Sequence, residues 1–331
     1  MADLSTNYLG FTLKNPIIIG SCGLTSTAED IIALEKAGAA AVVLNSVFEE
    51  EILAAEQETL KRALIAKKVG ALADDGNDPD DLPAKTARPD IQLELIKDVK
   101  SKVQLPVIAS IHCTSDSGWT AYAQKIQNAG ADALELNISM DPCAAGPEEQ
   151  KKTCLDIIKK VLKQVSVPVA VKLSDRYSDL PDILTEISST GVAGLVLFNR
   201  SYYPDIDTYN FRLTSGQMLS CETEYRRSLQ WIALMSGKIK CSIAAGTGIH
   251  YGSTVIKQIL AGADAVQLVS ALYLNGKDHI IQILADMEKW MADKGILSLQ
   301  KFKGLASYKK NEDPLSYERR QFLKYYGRIE S

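Results

Sequence analysis

Polar side chains fall at regular intervals along this chain, each at the end of a short apolar run. Ser21 and Cys22 follow IIIG, with Gly20 as the last residue of that run. Asn45 and Ser46 follow AAAVVL, and His112 follows VIASI. Asn137 and Ser139 close ALELNIS, Lys172 closes VAVK and Asn199 closes GLVLFN. Gly246-Thr247-Gly248 follows SIAA, and Gln267, Val269 and Ser270 close AVQLVS. The set holds no pair of carboxylates, so it does not suit a glycosidase or a metal hydrolase. Its lysine and asparagines are costly to gather in one place unless they bind something polar. Taken singly, each is as readily a structural hydrogen-bonding residue, and it is the constellation that points to a site. A lysine there could form a Schiff base with a carbonyl substrate. It could instead stay cationic and stabilise negative charge on a bound ring.

One stretch, Ser242–Leu272, adds a second kind of chemistry. It reads as a strand, the turn Gly246-Thr247-Gly248, a short amphipathic helix and a strand ending at Ser270. Glycines let a backbone approach a ligand closely, and a helix N-terminus favours an anion. Two neighbouring units of this kind would present their N–H groups to one phosphate. An ordinary glycine turn between strand and helix is the plainer alternative.

The elements that must position these residues form an internal repeat. Ala37-Gly38-Ala39, Ala129-Gly130-Ala131-Asp132, Thr190-Gly191-Val192-Ala193 and Ala261-Gly262-Ala263-Asp264 each lead into an apolar strand. Between them lie strands with another preface, Leu105-Pro106, Val167-Pro168 and Lys238-Ile239. Strands begin near 17, 41, 107, 133, 169, 194, 240 and 265, with helical patterns between them. Alternating strands and helices argue for a parallel sheet, and eight such units with an internal repeat argue for a closed (β/α)8 TIM barrel. Asn7–Lys14 reads as a small hairpin before the barrel, and Thr27 as a helix N-cap. The whole chain, 1–331, reads as one domain with its core at about 15–294 and a tail at about 298–331.

Composition narrows the classes. A chain that is 46% apolar and 24% charged is a globular protein with a large core. A net charge of −4 gives no argument for nucleic acid or a membrane surface as partner. No apolar run reaches the length of a membrane span, and Met1-Ala2-Asp3-Leu4 does not open a signal peptide. A cytoplasmic protein is expected. Its six cysteines are scattered without a C-x-x-C pair and its three histidines are far apart, so no metal site is expected. Two connections exceed simple turns. The 71–89 stretch is rich in aspartate without the spacing of an EF-hand, and an acidic surface loop is expected. Arg200–Glu222 carries Tyr202, Tyr203, Tyr209 and Phe211, follows the sixth barrel strand and reads as a lid or a packed excursion.

From about Leu9 to Leu272 the chain resembles the dihydroorotate dehydrogenase family of FMN-binding barrels. LGFTLKNPIIIGSCG resembles the family's entry strand, whose Ser and neighbours line the flavin. ELNIS resembles its asparagine-bearing strand, and VAVKL the strand whose lysine approaches the flavin N1/O2 edge. LVLFN resembles the strand whose asparagine faces flavin and substrate, and IAAGTG with QLVSAL its phosphate grip. VLFNRSYYPDID and LVSALY resemble most closely a bacterial subgroup usually labelled dihydroorotate dehydrogenase-like. The resemblance implies FMN as cofactor, held by Gly20, Ser21, Cys22, Asn45, Ser46, Asn137, Lys172, Asn199, Gly246, Thr247, Gly248, Val269 and Ser270. It implies hydride transfer from a small substrate, dihydroorotate or a related compound, to flavin N5, and a place in pyrimidine biosynthesis. The catalytic set would be Lys172, Asn137 and Asn199. A soluble electron acceptor and a homodimer are the implied partners.

The departures from the family pattern fall on the reaction. The family places a Cys or Ser base after Asn-x-Ser, followed by Pro-Asn. This chain has Asn137-Ile138-Ser139-Met140-Asp141-Pro142, and a thioether takes no proton. Ser139, Asp141 and Cys143 are the substitutes at hand. Asn45-Ser46 replaces the family's Lys-Ser, removing a cation that would meet a carboxylate. The acidic 71–89 stretch stands where the family has an asparagine- and glycine-rich substrate segment. An FMN-dependent oxidoreductase is expected, with a catalytically inert flavin-binding protein acting through partners as the alternative.

Overall fold

The fold follows from where the chain can bury strands that are apolar on both faces. The computed structural model describes residues 2–70, 88–140, 145–201 and 203–310. Most of the acidic 71–89 stretch, with Asp141, Cys143, Tyr202 and the end of the tail, lies outside the described residues.

A hairpin of β1 (Thr6–Tyr8) and β2 (Phe11–Leu13) precedes the barrel. The barrel strands are β3 (Ile17–Ile19), β4 (Ala41–Val43), β6 (Val107–Cys113), β7 (Ala133–Ile138), β8 (Val169–Leu173), β9 (Gly194–Leu197), β12 (Ser242–Ala245) and β13 (Ala265–Leu268). Each pairs in parallel with the next, and β13 pairs with β3, which closes a (β/α)8 barrel. The short β5 (Val47–Phe48) pairs with the end of β6. Helices α1 (Ala28–Lys36), α2 (Glu49–Gly70), α3 (Arg88–Lys100), α4 (Ala121–Ala129), α5 (Pro147–Leu162), α6 (Leu180–Ser188), α7 (Tyr225–Met235), α8 (Gly252–Ala261), α9 (Ser270–Asn275) and α10 (His279–Asp293) complete the described helices. None is long and apolar enough to cross a membrane.

The repeated sequence phrase has a backbone reason. Gly38, Gly130, Gly191 and Gly262 all hold φ between 101° and 122°, a left-handed turn that stops one helix and starts the next strand. The aspartates that follow two of them are structural. Asp132 Oδ2 accepts from the Val107 amide at 2.7 Å, and Asp264 Oδ2 from the Ile243 amide at 2.9 Å, so each pins the neighbouring strand. At the start of α1, Thr27 Oγ1 accepts from the Asp30 amide at 3.2 Å, a side-chain cap.

Alternation along each strand divides the core in two. On β8, Val169, Val171 and Leu173 pack outward against the helices, while Ala170 faces the axis. The inner cluster is narrow, with Ala41, Ala133, Ala170, Ala244 and Ala265 beside Ile18, Val43, Ile108 and Val196. Tyr8, Leu9 and Leu13 of the hairpin enter the space these small residues leave and plug the N-terminal end. Gly194 admits the plug, since a Cβ there would lie 2.5 Å from Leu9 Cδ2.

The Arg200–Glu222 excursion is a hairpin, β10 (Pro204–Asp207) with β11 (Arg212–Ser215). It does not lie flat over the barrel. Ile206, Tyr209, Phe211 and Leu213 are all well exposed, while Arg200, Ser201 and Tyr203 at its start and Met218, Leu219 and Ser220 of its returning limb lie at the barrel mouth.

Candidate functional site

Above the apolar plug the barrel axis turns polar. The alternation that points Ala170 inward does the same for Lys172, Ala133 does so for Glu135 and Asn137, and Ala265 for Gln267. Cross-strand register sets Asn137 beside both His112 and Lys172. Lys172 Nζ donates to Gln267 Oε1 at 2.9 Å and lies 3.4 Å from Glu135 Oε1. Gln267 Nε2 donates to Glu135 Oε2 at 2.6 Å. The triangle is buried, with Glu135 at 1% and Lys172 at 7% exposure.

A cavity of about 590 Å³ opens over this triangle at the C-terminal ends of the strands. That is the size range of a small-molecule or cofactor site. Lys172, Gln267 and Ser21 line one part, and Gly246, Thr247, Gly248, Val269 and Ser270 another. Asn199, Arg200, Met218, Ser220 and Tyr273 form further walls. The Arg200 guanidinium donates to the backbone carbonyls of Gln217 and of Leu219, and so ties the excursion's returning limb to the end of β9.

The glycine turn is shaped by protein packing as well as by its place on the cavity. Thr247 and Gly248 both hold left-handed φ, 71° and 74°. A Cβ on Gly246 would lie 2.4 Å from the Phe198 carbonyl oxygen, and one on Gly248 would lie 2.2 Å from the Tyr225 amide nitrogen. Ser220 joins this turn to α9: Gly248 N donates to Ser220 Oγ at 3.2 Å, and Ser220 N donates to Ser270 Oγ at 2.9 Å. Buried His250 adjoins them, its Nε2 3.3 Å from Ser220 Oγ.

The residues singled out from sequence divide into three groups. Ser21, Lys172, Asn199, Gly246, Thr247, Gly248, Val269 and Ser270 line the cavity. Asn137 and Ser46 reach it through a neighbour. Asn199 Nδ2 donates to Asn137 Oδ1 at 3.0 Å, and the hydroxyls of Ser21, Ser46 and Ser110 form a chain with spacings of 2.9 and 2.8 Å. Gly20, Cys22, Asn45 and Ser139 stand at strand ends without lining it. Burial raises the Cys22 thiol above its usual range, so at neutral pH it is not a thiolate. Met140 is half-buried against the main core, and Cys143 lies outside the described residues. Glu135, Arg200 and Ser220 are the members that sequence reasoning missed. For Glu135 the signal was present, since a glutamate in phase with Asn137 in ALELN must face the same way.

The sequence model of the family described as dihydroorotate dehydrogenase matches residues 88–291. This chain belongs to the dihydroorotate dehydrogenase family. It is 28% identical over 312 residues to a relative from Thermoplasma acidophilum, named the catalytic subunit of dihydroorotate dehydrogenase B (NAD(+)), covering 92% of this chain and 99% of the relative. A protein of the same name from Methanocaldococcus jannaschii is 24% identical over 315 residues, covering 92% and 98%. A dihydroorotate dehydrogenase A (fumarate) from Lactobacillus helveticus is 28% identical over 195 residues, covering 56% and 64%. Dihydroorotate dehydrogenases are FMN-dependent flavoproteins of pyrimidine biosynthesis, and an oxidoreductase acting on CH–CH groups is what membership supports. The donor set fits FMN. The cavity offers a buried cation and an amide at one part and the Thr247 amide with the Ser220 and Ser270 hydroxyls at another, which matches an electron-accepting ring joined to a phosphate.

Proposed function

We propose that this chain is an FMN-dependent oxidoreductase that removes hydrogen from a CH–CH bond of a small ring compound related to dihydroorotate. The observation that carries the reading is the one cavity shared by Lys172 and Gln267 with the Gly246–Gly248 turn and Ser270. FMN supplies, when bound, the acceptor for a hydride leaving substrate carbon. Lys172 Nζ offers positive charge and a hydrogen bond to the ring edge that becomes electron-rich. The Thr247 amide and the Ser270 hydroxyl hold the phosphate, the Gly246 and Gly248 amides being engaged by the Leu197 carbonyl and Ser220 Oγ. The Asn199–Asn137 bond fixes both amides at the ends of the two strands that flank β8, where they orient the substrate's own amide edges. Met140 stands where the family has its base, so the proton falls to another group, with Ser139 the hydroxyl nearest in sequence on that strand end. Asn45 leaves out a cation for the substrate carboxylate, which favours a substrate less acidic than dihydroorotate. A soluble electron acceptor and a homodimer complete the reading.

Met140 also favours a second reading, an inert FMN-binding relative, because its side chain packs into the core and offers no proton acceptor. The test is an absorbance spectrum of the purified protein, followed by anaerobic addition of dihydroorotate and of related neutral rings. Flavin bands that bleach with one of them support the enzyme. Flavin that none of them bleaches supports the inert reading. Protein that takes up no FMN sinks both.

A further inference from the structure

The proposed site depends on a positive charge at Lys172, and that side chain sits deep in the barrel. An ammonium at 7% exposure has lost most of its hydration, and a lone one gives up its proton instead of remaining charged. The geometry points to Glu135 as the positioning residue that keeps Lys172 protonated and aimed at the cavity. This inference rests on the flavin reading above, and it concerns a residue that does not itself line the cavity.

The argument is one of donors and acceptors. Gln267 receives Lys172 Nζ on its oxygen and gives its nitrogen to Glu135, and only one orientation of that amide satisfies both neighbours. An amide held between an ammonium and a carboxylate is therefore a bridge that reads both charges. Glu135 Oε1 also meets Lys172 Nζ directly at 3.4 Å. Two of the three ammonium hydrogens go to these partners, and the third remains for a ligand in the cavity that Lys172 lines. Glu135 is almost wholly buried, so it needs the lysine as much as the lysine needs it. The result is a buried dipole along the barrel axis with its positive end at the cavity.

Other titratable groups around the pair leave a clear window. Below it on the plug, burial and the charge of Glu135 hold the Tyr8 phenol well above its usual range. At the end of β3 burial raises Cys22, and on α9 burial raises Tyr273. On β6 burial lowers His112. Each of these shifts moves its group away from the range between about pH 7 and 8. The residues that face the axis from β4, β12 and β13, Val43, Ala244 and Ala265 among them, carry no titratable side chain.

The test compares the full-length, FMN-loaded wild type with Glu135→Gln, Lys172→Met and the double variant. The flavin midpoint potential is measured across that window by equilibration with a reference dye. In wild type, where Glu135 faces Lys172, a constant contribution from the lysine is expected across the window. In Glu135→Gln a new ionisation enters the window. Above it, reduction becomes harder than in wild type by up to tenfold in the equilibrium per pH unit, about 30 mV for a two-electron couple. In the Lys172→Met background the same change at Glu135 has no further effect. Potentials of Glu135→Gln that run parallel to wild type overturn the inference, as does an effect that persists without Lys172. Should Glu135→Gln fail to fold, Gln267→Leu breaks the bridge and is expected to bring in the same ionisation at higher pH; parallel potentials there overturn it equally. A wild type without flavin marks failure of the functional reading instead. In that case acetylation of Lys172 at about pH 8, mapped by mass spectrometry, is expected to run about tenfold faster in Glu135→Gln. Equal rates overturn the inference.

Discussion

Asn199 Nδ2 donates to Asn137 Oδ1 at 3.0 Å, linking the two strands that flank β8 and its Lys172. Asn199 Oδ1 in turn accepts from the Arg200 amide at 3.0 Å, so the bend out of β9 sets the orientation of both asparagines. Asn199→Ala removes that chain. A single lost hydrogen bond costs about 1 kcal/mol of stability, read by urea unfolding. The functional loss is expected to be larger, because Asn137 is released as well. With flavin content unchanged, substrate-driven bleaching in a stopped-flow instrument is expected to slow by at least about tenfold. An unchanged rate would remove both asparagines from the proposed site.

The two parts of the proposed phosphate site, Gly248 and Ser270, are expected to respond differently to substitution. Gly248 sits at φ 74° with backbone of Tyr225 where a side chain would begin. Gly248→Val therefore disturbs the fold itself, and a lower melting temperature in flavin-free protein is the expected readout. Ser270→Ala leaves that packing alone and removes the hydroxyl that accepts from the Ser220 amide. It should melt within a few degrees of wild type and hold FMN about tenfold more weakly, which corresponds to about 1.4 kcal/mol. Retention of FMN at wild-type affinity by Ser270→Ala would argue against the phosphate assignment.

How far the sequence discloses this arrangement depends on the period of each signal. The barrel is legible because the Ala-Gly-Ala phrase recurs and because its glycines have one backbone task, ending a helix before a strand. Lys172, Asn137 and Asn199 are legible because strand ends are. Glu135 escapes notice only because attention stops at strand ends, whereas alternation also defines what lies one layer below. Ser220 has no such signal. It arrives from an excursion with no period, and its position on Gly248 and Ser270 is a tertiary fact. The glycine turn teaches a further point. Sequence suggests that glycine is there to let a phosphate approach, while the space its missing side chain leaves is filled by the chain's own backbone at Phe198 and Tyr225.

Met140 and Asn45 carry the two departures most open to repair. Met140 is half-buried against the core, so Met140→Cys replaces a thioether with a smaller side chain that can hold and release a proton. Asn45→Lys restores a cation at the end of β4. The double variant is expected to bleach its flavin with dihydroorotate at least about tenfold faster than wild type, each change contributing through a different step. No gain over wild type would mean that the 71–89 stretch also governs substrate choice, or that the natural substrate lies outside this chemistry.

His112 makes the barrel mouth sensitive to acid. Its ring lies 4.6 Å from that of Phe48, its Nδ1 is buried without a hydrogen-bond partner among the described residues, and burial lowers its pKa below the ordinary 6.5. The folded protein thus binds this proton less readily than the unfolded chain. As pH falls below about 6.5 the unfolded state takes up the proton first and stability drops, until the folded-state pKa is passed. Above that value His112 adds no pH dependence. His112→Gln is expected to flatten this part of the profile while leaving stability at about pH 8 within a few tenths of a kcal/mol to about 1 kcal/mol of wild type. Urea unfolding at closely spaced pH values between about 5 and 8 measures the slope directly. A variant with the same acid slope as wild type would remove His112 as the source of the sensitivity.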